Sequence, residues 1–358
     1  MKNQFLFIAV FIVLITVLVG CSNDEQVEAS KSGLDSMRQN YEDRGKECKL
    51  INDVVERGDC FQEVNELYLK WNSNLMEDFQ YSPLTDGLRW EEVKNIFYFS
   101  IDENSELSEV QITEDYEVYL QENSQQNTQL QEEIVKEYWY IFSNLIPKEY
   151  RKDLKQLVWT NLPGYYYFVG RDEENIEHTT LNFAVKTPKY DPNYHKGILI
   201  HEFGHILTSN KDQVKVESDF HLSDDVEVIA QAIEECPTFY LFGCANEDSY
   251  LYQFYLEFWE DMMGDYEAID WSIEDDYRTF YQKYEDRFFN GYQAWDPNED
   301  FAETFTFFIM LNSEELQGQS DMKYEKIKFL YGYDELVQLR TQILENLYDL
   351  SVKDKKFY

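Results

Sequence analysis

Three observations predict an α+β fold. Strand-like runs follow one another between Leu154 and Lys186 and lead into an apolar helix. Helical spacing dominates the segment before them and nearly everything from Val214 to Leu350. Strands feeding a helix, followed by a mainly helical second half, is an α+β order of elements rather than a regular βα alternation.

The first twenty residues, "MKNQFLFIAVFIVLITVLVG", hold Lys2 and then an apolar run from Phe5 to Gly20. That run is shorter than the roughly 20 residues a membrane span needs, and it fits the core of a signal peptide. Its end, Leu18-Val19-Gly20-Cys21, resembles a bacterial lipobox. The expectation is that residues 1–20 are removed and Cys21 carries the lipid, palmitate included. The protein would then sit on the extracytoplasmic face of a bacterial cell membrane. Residues 21–45 are polar and read as a flexible tether.

Residues 46–147 read as a helical region. Phe61, Val64, Leu67, Tyr68, Trp71 and Leu75 recur at helical intervals. Leu130, Ile134, Tyr138, Ile141, Phe142 and Leu145 do the same before Pro147. Residues 148–358 read as the domain that carries the chemistry. Its strands are "LKQLVWTN", "YYYFVGR" and "HTTLNFAVK"; Asp191 and Pro192 then open a helix as cap and first helical residue. Cys48, Cys60, Cys236 and Cys244 are disulfide candidates, the near pairs Cys48–Cys60 and Cys236–Cys244 being the simplest connectivity for an exported chain.

Composition excludes some functions. Aromatics make up 17% of the chain, which argues for a folded protein. With 31 basic and 70 acidic residues the net charge is −39, which repels phosphate backbones and makes nucleic acid a poor partner.

The chemistry concentrates in "GILIHEFGHILTS", Gly197 to Ser209. On a helix, residues four apart share a face, so His201 and His205 can present two imidazoles to one ion. Glu202 beside them can take a proton from water. Two merely structural histidines would have to be buried, with a glutamate, among Ile198, Leu199, Ile200, Phe203, Ile206 and Leu207, where unpaired polar groups are costly. The third histidine of the extended zinc motif is absent: Thr208 stands at its glycine and Lys211 at its histidine. His221, in an acidic segment, is a weak alternative. A carboxylate on a later helix is the better third ligand. In "GYQAWDPNEDFAETFTFFIML", Asp296 and Pro297 start a helix that carries Glu299 and Glu303 four apart. Either glutamate can reach a metal. If Glu299 is a capping-box acid, Glu303 takes the ligand role.

The pair of motifs, H-E-x-x-H and a distant E-x-x-x-E with "FAE" inside it, resembles gluzincin metallopeptidases of the anthrax-lethal-factor-like and Pro-Pro endopeptidase kind. It is also similar to bacterial zinc-binding peptidase lipoproteins. The resemblance spans roughly residues 150–330 and implies a zincin-like fold, with a small sheet beside the motif helix. It implies Zn2+ held by His201, His205 and Glu299, with Glu202 as general base and Glu303 supporting a ligand. Tyr292, seven residues before Glu299, matches the tyrosine that steadies the oxyanion. The implied partner is a peptide or protein substrate, and "TTLNFAVK" is expected to pair with it as an added strand. The long His205–Glu299 separation departs from the pattern and implies a helical insertion containing Cys236 and Cys244. A non-catalytic surface lipoprotein with a structural or relic metal site is the alternative. Glu202 weighs against it, because a structural site needs no base.

Overall fold

A computed structural model describes residues 38–77, 93–122, 128–162, 165–172, 174–185, 192–217, 226–241, 243–271 and 273–353. The leader 1–20, Cys21 and His221 lie outside the described residues. The chain divides into two units, Met1–Ile51 and Asn52–Tyr358.

In the first unit, residues 38–48 form α1. Residues 38–45, expected in the tether, are therefore helical. The reason is local: Arg38 pairs with Glu42 at 3.0 Å, Lys46 with Asp43 at 2.8 Å and Arg44 with Glu47 at 3.1 Å, all at helical spacing.

The second unit is α+β. Its main sheet has the order β2-β1-β3-β5-β4, built from β1 (Asn95–Ser100), β2 (Gln111–Ile112), β3 (Leu154–Thr160), β4 (Tyr165–Arg171) and β5 (Thr179–Val185). Only β3 and β5 run parallel; the other neighbours are antiparallel. Two expectations change here. Residues 46–147 contain α2 (Val54–Glu77), α3 (Tyr116–Glu122) and α4 (Thr128–Leu145), yet they also supply β1 and β2. The run "NIFYFS" is a strand because Ile96, Phe97 and Phe99 are buried in the sheet, Phe97 stacking on Trp159. Second, β5 is no edge. It is hydrogen-bonded to β3 on one side and β4 on the other, so "TTLNFAVK" cannot take an added strand; β4 holds that outer place.

The motif helix α5 (Pro192–Ser209) lies between the sheet side and the helical half. Phe203 meets Phe142 of α4 on one side and Phe305 of α10 (Pro297–Met310) on the other. The crossing of α5 and α10 is close. A Cβ on Gly204 would sit 2.8 Å from Ala302 Cα and 3.1 Å from Ala302 Cβ, so only glycine fits.

Both ends of α10 are fixed. Asp296 caps the start, its Oδ1 accepting from the backbone N–H of Asn298 at 2.7 Å and of Glu299 at 2.9 Å. Asp300, fully buried, pairs with Lys326 of α11 (Met322–Tyr331) and accepts from Trp259 Nε1 at 2.7 Å. At the other end, Arg340 of α12 (Asp334–Lys353) donates to the carbonyls of Phe308 and Leu311, each at 2.7 Å. Gln62 of α2 donates to that of Met310 at 3.0 Å. These bonds satisfy carbonyls that a helix end otherwise leaves orphaned.

Between α5 and α10 the chain forms a second sheet, order β6-β8-β7, from β6 (Val214–Val216), β7 (Phe239–Tyr240) and β8 (Gly243–Ala245). It also forms α6 (Val226–Glu235), α7 (Tyr250–Phe258), α8 (Met263–Tyr266) and α9 (Glu274–Lys283). The stretch between the two motifs, expected to be helical, is thus helices plus a small three-stranded sheet. Cys236 and Cys244 are disulfide-bonded across it, and Cys48 and Cys60 are also in the disulfide state. Among the described residues no helix is long and apolar enough to cross a membrane.

Candidate metal centre

His201 and His205 project from one face of α5 and meet Glu299, in the first turn of α10. Their donor atoms form a nearly equilateral triangle. His201 Nε2 lies 3.2 Å from His205 Nε2 and 3.2 Å from Glu299 Oε2, and His205 Nε2 lies 3.3 Å from the same oxygen. A tetrahedral ion with bonds of about 2.0–2.1 Å needs ligand atoms about 3.3 Å apart. Glu299 Oε2 is also buried without a hydrogen-bond partner, a costly state for a carboxylate unless a cation meets it. These three residues could hold a metal ion. Two imidazoles and one carboxylate suit a borderline divalent metal.

The choice between Glu299 and Glu303 follows from the geometry. Glu299 points at the ring nitrogens instead of back to its cap. Glu303, one turn on, sets its Oε1 2.9 Å from His201 Nδ1, near enough to orient the ring although angled off a straight hydrogen bond. Its other oxygen accepts from Asn290 Nδ2 at 3.0 Å. A carboxylate behind a ligating imidazole fixes the tautomer and turns the opposite nitrogen outward.

Electrostatics agree with the packing. Burial lowers the His201 pKa, but Glu299 and Glu303 outweigh it and hold the imidazole well above its ordinary value. Burial raises Glu299, and His205 and His201 overcome that to hold it below the carboxylate range. The buried Glu202 is raised chiefly by desolvation, with the charges of Glu299 and Glu303 adding to it against the two histidines. Its Oε2 is buried and unpartnered. Asp296 is pushed up to about 6 by burial and then by the charge of Glu299.

The donors are largely buried. The histidine side chains are 8% and 3% exposed and that of Glu299 is 18%, so Glu299 is the most exposed of the three. Tyr292 packs its ring 5.7 Å from that of His201, on the short turn Tyr292–Trp295 just before Asp296. That turn is held by Gln293, which accepts from the N–H of Phe289 and donates to Thr304 of α10. The three donors, Glu202, Glu303 and Tyr292 are thus brought together, while Cys21 and the alternative ligand His221 lie outside the described residues.

Two site residues had no sequence signal of their own. Asn290 is one more polar residue in a loop until it is seen on Glu303. Tyr240 sits in "CPTFYLFGC", and its ring lies 5.2 Å from that of His205. Burial, followed by the charges of Glu299, Glu202 and Asp296, raises its pKa well above the usual phenol value. The disulfide flanking it was the available clue.

No family model matches the chain, and no curated protein or solved structure matches it either.

Proposed function

We propose that the protein is a zinc-dependent peptidase that cleaves peptide or protein substrates outside the bacterial cytoplasm, tethered to the membrane by lipid on Cys21. The observation that carries this reading is the donor triangle with an unpartnered, buried Glu202 carboxylate beside it. A purely structural metal site has no use for that carboxylate. The two-motif resemblance to gluzincin peptidases supports the same reading, and the lipobox and the net charge of −39 support an exported, membrane-held protein without nucleic-acid partners.

Held by His201, His205 and Glu299, zinc would supply a Lewis acid for the scissile carbonyl and would acidify a water. Glu202 takes the proton from that water and returns it to the departing amine. Desolvation suits it to this work, since a carboxylate pushed upward is a better base. Tyr292 donates to the carbonyl oxygen as charge builds there. Glu303 and Asn290 keep His201 turned toward the donors. The outer edge of β4 is the place for an extended substrate, in place of β5.

Glu202→Gln is the test. It keeps the shape and all three donors, so the variant should bind zinc like the parent and lose nearly all hydrolysis of a mixed peptide library. Undiminished turnover would remove Glu202 from its role.

A further inference from the structure

The β7–β8 hairpin, between the two motif helices in sequence, folds back onto the first of them. It places Tyr240 against His205, on the opposite histidine from Tyr292. The hairpin is held at two points. The Cys236–Cys244 bond joins the end of α6 to β8, with Cα atoms 6.1 Å apart. At the turn, Arg171 of β4 donates from Nε to the carbonyl of Leu241 at 3.2 Å and from Nη2 to the carbonyl of Ser209 at 2.6 Å. One guanidinium thus ties the hairpin to the last residue of α5, and Leu241 itself holds a positive φ of 46°. A segment with two-residue strands would otherwise have little to fix it.

The Tyr240 hydroxyl lies in the field of Glu299, Glu202, Asp296 and Arg171, yet among the described residues it makes no hydrogen bond. Its ring packs on a candidate ligand, and its hydroxyl is left with a donor that none of these groups takes up.

We propose that Tyr240 is a substrate-contacting residue of the metal centre, donating a hydrogen bond to a group held at the fourth position, and that the Cys236–Cys244 bond and Arg171 keep it there. The inference rests on the metal site of the function proposed above, and not on peptide hydrolysis. Tyr240 and Tyr292 would then grip the reacting group from two sides. Breaking Cys236–Cys244 would loosen only one of them, which makes the site sensitive to reduction through Tyr240.

The test loads the whole chain with Co2+ and titrates it with acetohydroxamate, a small metal-binding oxyanion, followed by the visible spectrum. Tyr240→Phe should hold Co2+ within about twofold of the parent. It should bind acetohydroxamate roughly two- to twelvefold more weakly, the range for one lost neutral hydrogen bond. Cys236→Ser with Cys244→Ser should show a similar loss, and adding Tyr240→Phe to that pair should cost little more. Arg171→Met repeats the test without touching a cysteine, should the cysteine variant fail to fold. Unchanged acetohydroxamate affinity in Tyr240→Phe would overturn the proposal. So would a loss of Co2+ affinity in that variant, which would make Tyr240 a support of the ligands instead. A parent that holds Co2+ but takes up no acetohydroxamate would overturn it too, the fourth position being closed. A parent that binds acetohydroxamate but cleaves no peptide would remove the peptidase reading alone. A parent that binds no metal would remove both.

Discussion

Gly204→Ala tests whether the crossing of the two motif helices sets the metal geometry. The added Cβ would meet Ala302 Cα at 2.8 Å and Ala302 Cβ at 3.1 Å. Carbon atoms rest about 3.5–4.0 Å apart, so α5 and α10 must part by roughly 0.5–1 Å. Glu299 rides on α10 and the histidines on α5, so the parting falls on the 3.2 Å and 3.3 Å edges that join Glu299 to the imidazoles. Metal–ligand distances tolerate only about 0.2 Å. Zinc affinity should therefore fall by roughly tenfold or more, in line with losses seen when ligand orientation is disturbed. Stability should change less. Overpacking costs about 1–3 kcal/mol, offset by about 1 kcal/mol because alanine favours a helix over glycine. Zinc competition against a chromogenic chelator and thermal melts of metal-free protein measure the two effects. Ala302→Gly, added to Gly204→Ala, removes the 3.1 Å neighbour but leaves the Cα, so rescue should be partial. Gly264→Ala, where a Cβ meets nothing within 4 Å, is the control and should keep parental affinity. Parental zinc affinity in Gly204→Ala, with an unchanged or higher melting point, would refute the reasoning.

Other outcomes follow from the same geometry. Glu303→Ala should leave all three donors in place and weaken zinc by about 10–100-fold through loss of His201 orientation; equal affinity by chelator competition would show that Glu303 is idle. The folded His201 pKa is raised above its unfolded value. In metal-free protein this stabilises below the ordinary imidazole pKa and is lost as pH rises through the folded value. Metal binding needs the unprotonated ring, so the melting-point gain from zinc should widen between about pH 6 and 8, and a gain that shrinks with pH would contradict this. Asp300→Ala should strand the buried Lys326 charge and destabilise by about 3–5 kcal/mol in denaturant unfolding. Replacing both by apolar residues should cost far less, and equal costs would argue against a paired charge.

The parts of the site read from the sequence are those whose logic is local. His201, Glu202 and His205 lie within one turn or so, and Asp296-Pro297 announces the start of α10 in two residues. Glu299 and Glu303 could not be separated that way, since residues four apart share a face. Contacts between distant parts of the chain separate them: Glu299 meets the Nε2 atoms of both imidazoles, and Glu303 meets His201 Nδ1. The strands β3, β4 and β5 were visible as alternating or continuous apolar runs, but which of them forms the edge depends on pairing order. "NIFYFS" gives no strand signal because a short aromatic run between helices has no period of its own. Residues 38–45 looked like tether because they are polar, although their charges are spaced for helical pairs. Tyr240 was hidden among 28 tyrosines and gains meaning only when the hairpin folds back on His205.

The most direct test of the account is the zinc content of the purified chain beside Glu299→Ala, after exposure to zinc and removal of the excess. About one zinc per chain is expected in the parent and markedly less in the variant. No zinc in the parent, or equal zinc in both, would contradict it.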